Sequence, residues 1–186
     1  MRLLLSIFVL LILVLTGSAQ PKHPDQFLGY PLGTRYTPHW KVVSYFQHVA
    51  ASVPGQVQLQ QYGVTNEGRP LMLAIIGSED NMRRLEQIRL NNLRLAGLAA
   101  DRMAPAEEAP SVVWLSYNVH GNETSSSEAA MLTIYSLLQK NDTRVAQWLQ
   151  NTVVLIDPCV NPDGRDRYVN WFNSVVGSEP NPRMDS

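Results

Sequence analysis

The stretch that decides the fold is Val112-Val113-Trp114-Leu115-Ser116-Tyr117-Asn118-Val119, which runs straight into His120-Gly121-Asn122-Glu123 and then Ser125-Ser126-Ser127-Glu128. An apolar run of this length reads as a buried strand, short of the ten or so residues a helix core needs. Ser125 to Glu128 has the form of a capping box, and Ala130, Met131, Ile134, Leu137 and Leu138 follow at helical spacing. A strand, a loop bearing His120 and Glu123, and a helix therefore come in that order. Both side chains are expected at the carboxyl edge of a sheet, where α/β layers favour ligand sites. Neutral imidazole with carboxylate suits Zn²⁺, and two ligands from one rigid strand end plus a third from elsewhere would leave a position for water. His-x-x-Glu taken alone fits a surface salt bridge or hydrogen bond equally well. Gly121 is expected to let the chain turn tightly between the pair.

Working outward, Leu71 to Ile76 and Thr152 to Ile156 are two more strands expected to be buried on both faces, the latter ending in Asp157-Pro158. Gln56 to Val64 alternates through Val57, Leu59 and Gln61 as a half-buried strand, joined to Leu71 by a turn at Asn66-Glu67-Gly68-Arg69-Pro70. Thr37-Pro38 opens a helix with Thr37 as cap and Pro38 in its first position, and Trp40, Val43, Tyr45, Phe46 and Val49 supply its apolar face. A helix is predicted over residues 78–99 with Leu85, Ile88 and Leu95 in the core and Arg83, Arg84, Arg89 and Arg94 on a solvated basic face. A short helix is expected around Val145, Trp148 and Leu149. Strands alternating with helices give the fold class: α/β, with a mixed, largely buried central sheet and helices on both faces.

The first 19 residues read as a signal peptide. Arg2 is followed by 13 residues, Leu3 to Leu15, broken only by Ser6, then by small residues including Gly17 and Ala19 before Gln20. A membrane span would need about 20 apolar residues, so no stable anchor is expected after cleavage. The destination is secreted or periplasmic. Residues 20–36 are expected to be an extended surface segment, and 37–186 the domain proper. A net charge of -1 gives no footprint for nucleic acid or an anionic membrane. The single Cys159 cannot form an internal disulfide and is read as a buried small residue, not a nucleophile.

Residues 37–170 resemble zinc metallocarboxypeptidases of the carboxypeptidase A type at several places in order. The family's Glu-Gly-Arg-Pro turn is matched by Glu67-Gly68-Arg69-Pro70, its metal-binding His-x-x-Glu by His120 and Glu123, and its Asn-Pro-Asp-Gly segment by Asn161-Pro162-Asp163-Gly164, read here as a turn. The resemblance implies the zinc carboxypeptidase fold, Zn²⁺ held by His120 and Glu123, and hydrolysis of a peptide bond, usually beside a C-terminal carboxylate, by metal-activated water. It also implies a third ligand, a His, and a general-base Glu downstream. The four histidines are His23, His39, His48 and His120, so neither that His nor the family's Asp-x-Asn-Arg-Asn segment occurs after the pair. The chain is therefore expected to be the N-terminal half of such a domain, inactive by itself. The family's carbonyl-assisting arginine aligns with Val176, leaving Arg165 and Arg167 as the nearest candidates, and its substrate-anchoring arginine aligns with Asn122. Two other readings stand beside this one. A deacylase or amidase of the same superfamily is disfavoured by the Glu67–Pro70 turn and the leader. A noncatalytic secreted binding module would need its severed sheet edge covered or charged.

Overall fold

The computed structural model describes residues 20–101, 103–106, 108–139 and 141–177; the leader expected over residues 1–19 lies outside them. In chain order the elements are α1 (Pro24–Leu28), α2 (His39–Ser52), β1 (Val57–Val64), β2 (Pro70–Ile76), α3 (Glu79–Arg83), α4 (Leu85–Leu95), β3 (Ser111–Ser116), α5 (Ser125–Leu137), α6 (Thr143–Asn151), β4 (Thr152–Asp157) and α7 (Pro162–Val175). The strands form one mixed sheet in the order β1-β2-β4-β3. β1, β2 and β4 pair antiparallel in turn, whereas β3 and β4 run parallel with Ser116 opposite Asp157. That parallel register brings two carboxyl ends to the same edge, and the loops leaving them carry the candidate site.

Period-2 alternation sorts the strand residues between two layers. Ala74, Ile76, Val154 and Ile156 face α2 and α5, meeting Val42, Tyr45, Phe46, Val49, Ala130, Met131 and Ile134 in the main core. Ile75 and Val153 point the other way, toward Ile88 of α4. Helices thus cover both faces, as the pattern predicts. Burying each large apolar side chain contributes about 1.5–3 kcal/mol, so the main layer dominates stability. The second layer is thinner. A cavity of about 670 Å³ remains open between α4 and the sheet, with Leu73, Val112 and Leu155 on its walls.

Several expectations are corrected. β3 is not buried: it is the last strand of the sheet, with Val112, Val113 and Trp114 exposed by 38%, 41% and 63%. Its apolar run is the kind a central strand carries, yet among the described residues nothing pairs with its outer side. The helix expected over 78–99 is broken at Arg84 (φ -109°, ψ 21°). Ser78 caps α3, and the Asn81 side chain ties α3 to the carbonyls of Leu149 and Gln150, while α4 must lay Ile88 on the sheet. Two anchors in different directions cannot be met by one straight rod. Leu95 lies beyond the sheet at 63% exposure, outside the core. The arginines of this region do form a solvated face, pairing with Asp80, Glu86 and Asp101, pairs worth about 0–1 kcal/mol each.

The segment 20–36 is not simply extended: α1 docks on α2 and buries Pro24 and Leu28. α2 itself starts one residue later than expected, with Pro38 as its cap. Thr37 is fully buried, its N–H donating to Glu128 Oε1 (2.7 Å) and its hydroxyl paired with Tyr30 (2.9 Å). Among the described residues no helix is long and apolar enough to cross a membrane.

Candidate functional site

β3 and β4 end side by side, and the loops that follow them are zipped together: Val160 N–H donates to the Tyr117 carbonyl (2.9 Å) and Asn161 N–H to that of Asn118 (3.2 Å). Asn118 takes the left-handed conformation (φ 57°), which asparagine tolerates better than most residues, and so reverses the chain toward His120. The next four residues close a tight turn. Glu123 N–H donates to the His120 carbonyl (3.0 Å), His120 N–H donates to Glu123 Oε2 (3.2 Å), and His120 Nδ1 lies 3.0 Å from Glu123 Oε1. Hydrogen bonds from the His120 ring and amide hold the Glu123 carboxyl below the usual carboxylate range. Both side chains reach solvent, at 73% and 48% exposure. The predicted pair is therefore brought together, with one nitrogen and one oxygen donor converging at the carboxyl edge of the sheet.

What fixes this loop is packing at long range. Gly121 has no left-handed requirement. Its backbone presses on the first turn of α7, where a Cβ would collide with the carbonyl group of Gly164 and lie 2.7 Å from its Cα. The glycine is thus needed for close approach, not for turning. Asn161-Pro162-Asp163-Gly164 is likewise not a turn but a helix start: Asn161 caps α7 by accepting from Gly164 N–H (2.9 Å), with Pro162 in the first turn. The same Asn161 donates Nδ2–H to the Val119 carbonyl (3.1 Å). One side chain therefore starts the helix and holds the loop before His120.

The expected capping box on α5 does not form. Thr124 occupies the cap position without a side-chain bond. Ser127 is buried and donates to the Pro158 carbonyl (2.7 Å), and Glu128 is taken by Arg165 (2.8 Å). Arg165 is fully buried. Its guanidinium is occupied by Thr37, Asn118, Thr124 and Glu128, so it cannot assist a substrate carbonyl. Removing either partner of such a buried pair costs about 3–5 kcal/mol, because a charge is left uncompensated. Arg167 is the opposite case: 75% exposed, it reaches Glu67 Oε1 (2.7 Å) and lines a cavity of about 480 Å³ with Gly121, Asn122, Gly164, Tyr168 and Trp171. This groove lies directly beside the His120–Glu123 turn.

The Glu67–Pro70 turn, with Gly68 at φ 80°, also belongs to this end of the molecule. Arg69 reaches Asp163 and Asp166 of α7, both at 2.8 Å, and Thr65 donates to Asp163 (2.7 Å). The two flanking motifs are thus ion-paired to each other and brace α7. Cys159 is 1% exposed, and burial pushes its thiol up to about 12, which suits a packed residue and not a nucleophile. His39 and His48 sit on α2, and His39 is buried against the Pro70 carbonyl (3.0 Å). Among the described residues no third His, Cys, Asp or Glu joins His120 and Glu123. The donor set fits zinc in kind, imidazole with carboxylate, and supplies two positions of a coordination shell.

A family model described as zinc carboxypeptidase matches residues 42–179. Among solved structures, the chain is similar to thrombin activatable fibrinolysis inhibitor (15% identity, TM-score 0.55, covering 78% of this chain and 31% of that one). It is also similar to carboxypeptidase A from Helicoverpa armigera (19%, TM-score 0.52, covering 76% and 31%) and to a metallo-carboxypeptidase from Burkholderia cenocepacia (18%, TM-score 0.50, covering 70% and 28%). At these identities the likeness establishes the fold, and the chain spans about three tenths of the length of each. The family match covers most of the chain and takes in the sheet, the His120–Glu123 turn and α7 together: the chain belongs to the zinc carboxypeptidase family.

Proposed function

We propose that this chain is the N-terminal part of an exported zinc metallocarboxypeptidase, in which His120 and Glu123 hold the metal and a peptide is the substrate. The observation that carries the reading is the convergence of His120 Nδ1 and Glu123 Oε1 within 3.0 Å on a braced loop at the sheet edge. Zinc, when bound, would polarise the scissile carbonyl and lower the pKa of a bound water. The chain's own residues hold and aim. His120 and Glu123 supply two donors, Asn118 and Asn161 hold the backbone around them, and the groove of Asn122, Arg167, Tyr168 and Trp171 offers an apolar floor with a cation for an extended peptide.

The third ligand and the general base would come from further residues of the complete domain, and the chain by itself is inactive. The unpaired outer side of β3 and its exposed Trp114 support this incompleteness, since a finished sheet buries or charges such an edge. Export rests on the leader-like residues 1–19. The test has two arms. Residues 20–186 should show zinc-induced changes confined to His120 and Glu123 without peptidase activity. A longer reading frame should give chelator-sensitive release of C-terminal residues; a longer product that binds no metal would refute the zinc reading, and zinc-dependent activity from 20–186 would refute incompleteness.

A further inference from the structure

His120 and Glu123 are exposed, so their aim must be inherited from the backbone that carries them. That backbone is held from inside by one carboxamide. Asn118 is 2% exposed, and its Nδ2–H donates to the His120 carbonyl at 2.6 Å. Its Oδ1 accepts from Arg165 Nη1 (2.9 Å) and Ser127 Oγ (3.2 Å), with Cys159 Sγ at 3.5 Å. The same Arg165 Nη1 donates to the Thr124 carbonyl (3.0 Å). A single nitrogen thus grips the chain just before His120 and just after Glu123.

The guanidinium is itself immobile. Nε and Nη2 donate to the Thr37 carbonyl (2.9 and 2.6 Å), and Nη2 also meets both Glu128 oxygens (2.8 and 3.0 Å). All five N–H donors of an arginine are thereby satisfied, and they link α2, α5 and α7 to the loop. Asparagine is chemically required at the relay point: it must accept from the cation on one side and donate to a carbonyl on the other, in a left-handed backbone.

We infer that Asn118, clamped by Arg165, is the positioning residue that aims His120 and Glu123 at a common metal ion; the inference rests on the zinc reading above. Neither residue touches the metal or substrate. Outer groups that orient ligands typically change metal affinity 10–100-fold when removed.

The test is Asn118→Gly in the whole chain, because glycine accepts the left-handed backbone while deleting both relay bonds. Three measurements are made: zinc affinity by titration, thermal unfolding, and the His120 imidazole 15N resonances that report its bond to Glu123. The expected result is at least about a tenfold loss of zinc affinity and a shifted His120 ring signal already in the metal-free protein, with cooperative unfolding retained. Arg165→Lys keeps the charge opposite Glu128 but loses the fork to Asn118 and Thr124, and should reproduce the His120 shift. Unchanged His120 signals and wild-type zinc affinity in Asn118→Gly would overturn the inference. A wild-type chain that takes up no zinc would sink the metal reading instead, and the metal-free His120 signals would then decide the positioning role alone.

Discussion

Replacing Gly121 by alanine tests the contact on which the site geometry depends. The added Cβ would lie 2.7 Å from Gly164 Cα and closer still to its carbonyl group. Ordinary carbon contacts begin near about 3.5 Å, so loop and helix must separate by at least about 0.8 Å. Both sides are backbone and neither can rotate away. Overpacking of this kind costs about 1–3 kcal/mol, and separation also stretches the Asn161 bonds to the Asn118 and Val119 carbonyls, each worth about 1 kcal/mol. The expected loss is about 3 kcal/mol, which lowers a urea midpoint by about 1.5 M at a slope near 2 kcal/mol/M. Urea unfolding of residues 20–186 measures it, with His120 ring signals reporting displacement of the turn. Gly177→Ala is the control, since nothing lies within 4 Å of its Cβ position, and it should stay within about 0.5 kcal/mol of the parent. A Gly121→Ala midpoint within about 0.3 M of the parent, with unchanged His120 signals, would refute the close approach.

Gly68→Ala meets no atom within 4 Å but must hold φ 80°, so its cost is purely conformational, about 1–2 kcal/mol by urea unfolding. Asn161→Ala removes the α7 cap and the hold on Val119; about 1–2 kcal/mol should be lost, and weakened amide protection in the first turn of α7 would show where. Burial depresses the pKa of His39 below 6.5, with Arg165 and Arg69 adding to the fall and the Pro70 bond and Asp166 opposing it. The unfolded chain therefore protonates first as pH drops, so stability is lost from about pH 6.5 downward. His39→Gln should flatten that acid limb, leaving the smaller contribution of His48, which burial also depresses; an unaltered slope would rule His39 out as its source. Val113→Lys on the free side of β3 should reduce concentration-dependent association in sedimentation velocity, whereas identical profiles would show that this edge is not the sticky surface.

The strands, α2 and the strand–loop–helix frame around His120 and Glu123 were legible because their signals are local. β2 and β4 announce themselves as short apolar runs, and the facing of α2 follows from Val43, Phe46 and Val49 repeating at helical spacing. His-x-x-Glu between a strand and a helix places the pair at the sheet edge whatever the rest of the chain does. Local reading failed wherever a residue's partner lay far along the chain. Ser125 to Glu128 has the letters of a capping box, but Glu128 binds Arg165, 37 residues away, because a buried cation outcompetes an exposed amide for a carboxylate. The run Val112 to Trp114 reads as central, and only strand order makes it an edge.

The sequence by itself thus determined the elements, the family and the two donor residues, since periodicity, caps and short motifs act within a few residues of each other. Only the tertiary structure decided that Gly121 serves a backbone contact with Gly164, that Arg165 is a buried clamp while Arg167 faces the groove, and that Asn118 links that clamp to His120. These depend on distances between segments that meet only when β3 and β4 lie side by side. Close packing and charge burial are properties of the folded pair, carried by neither segment alone.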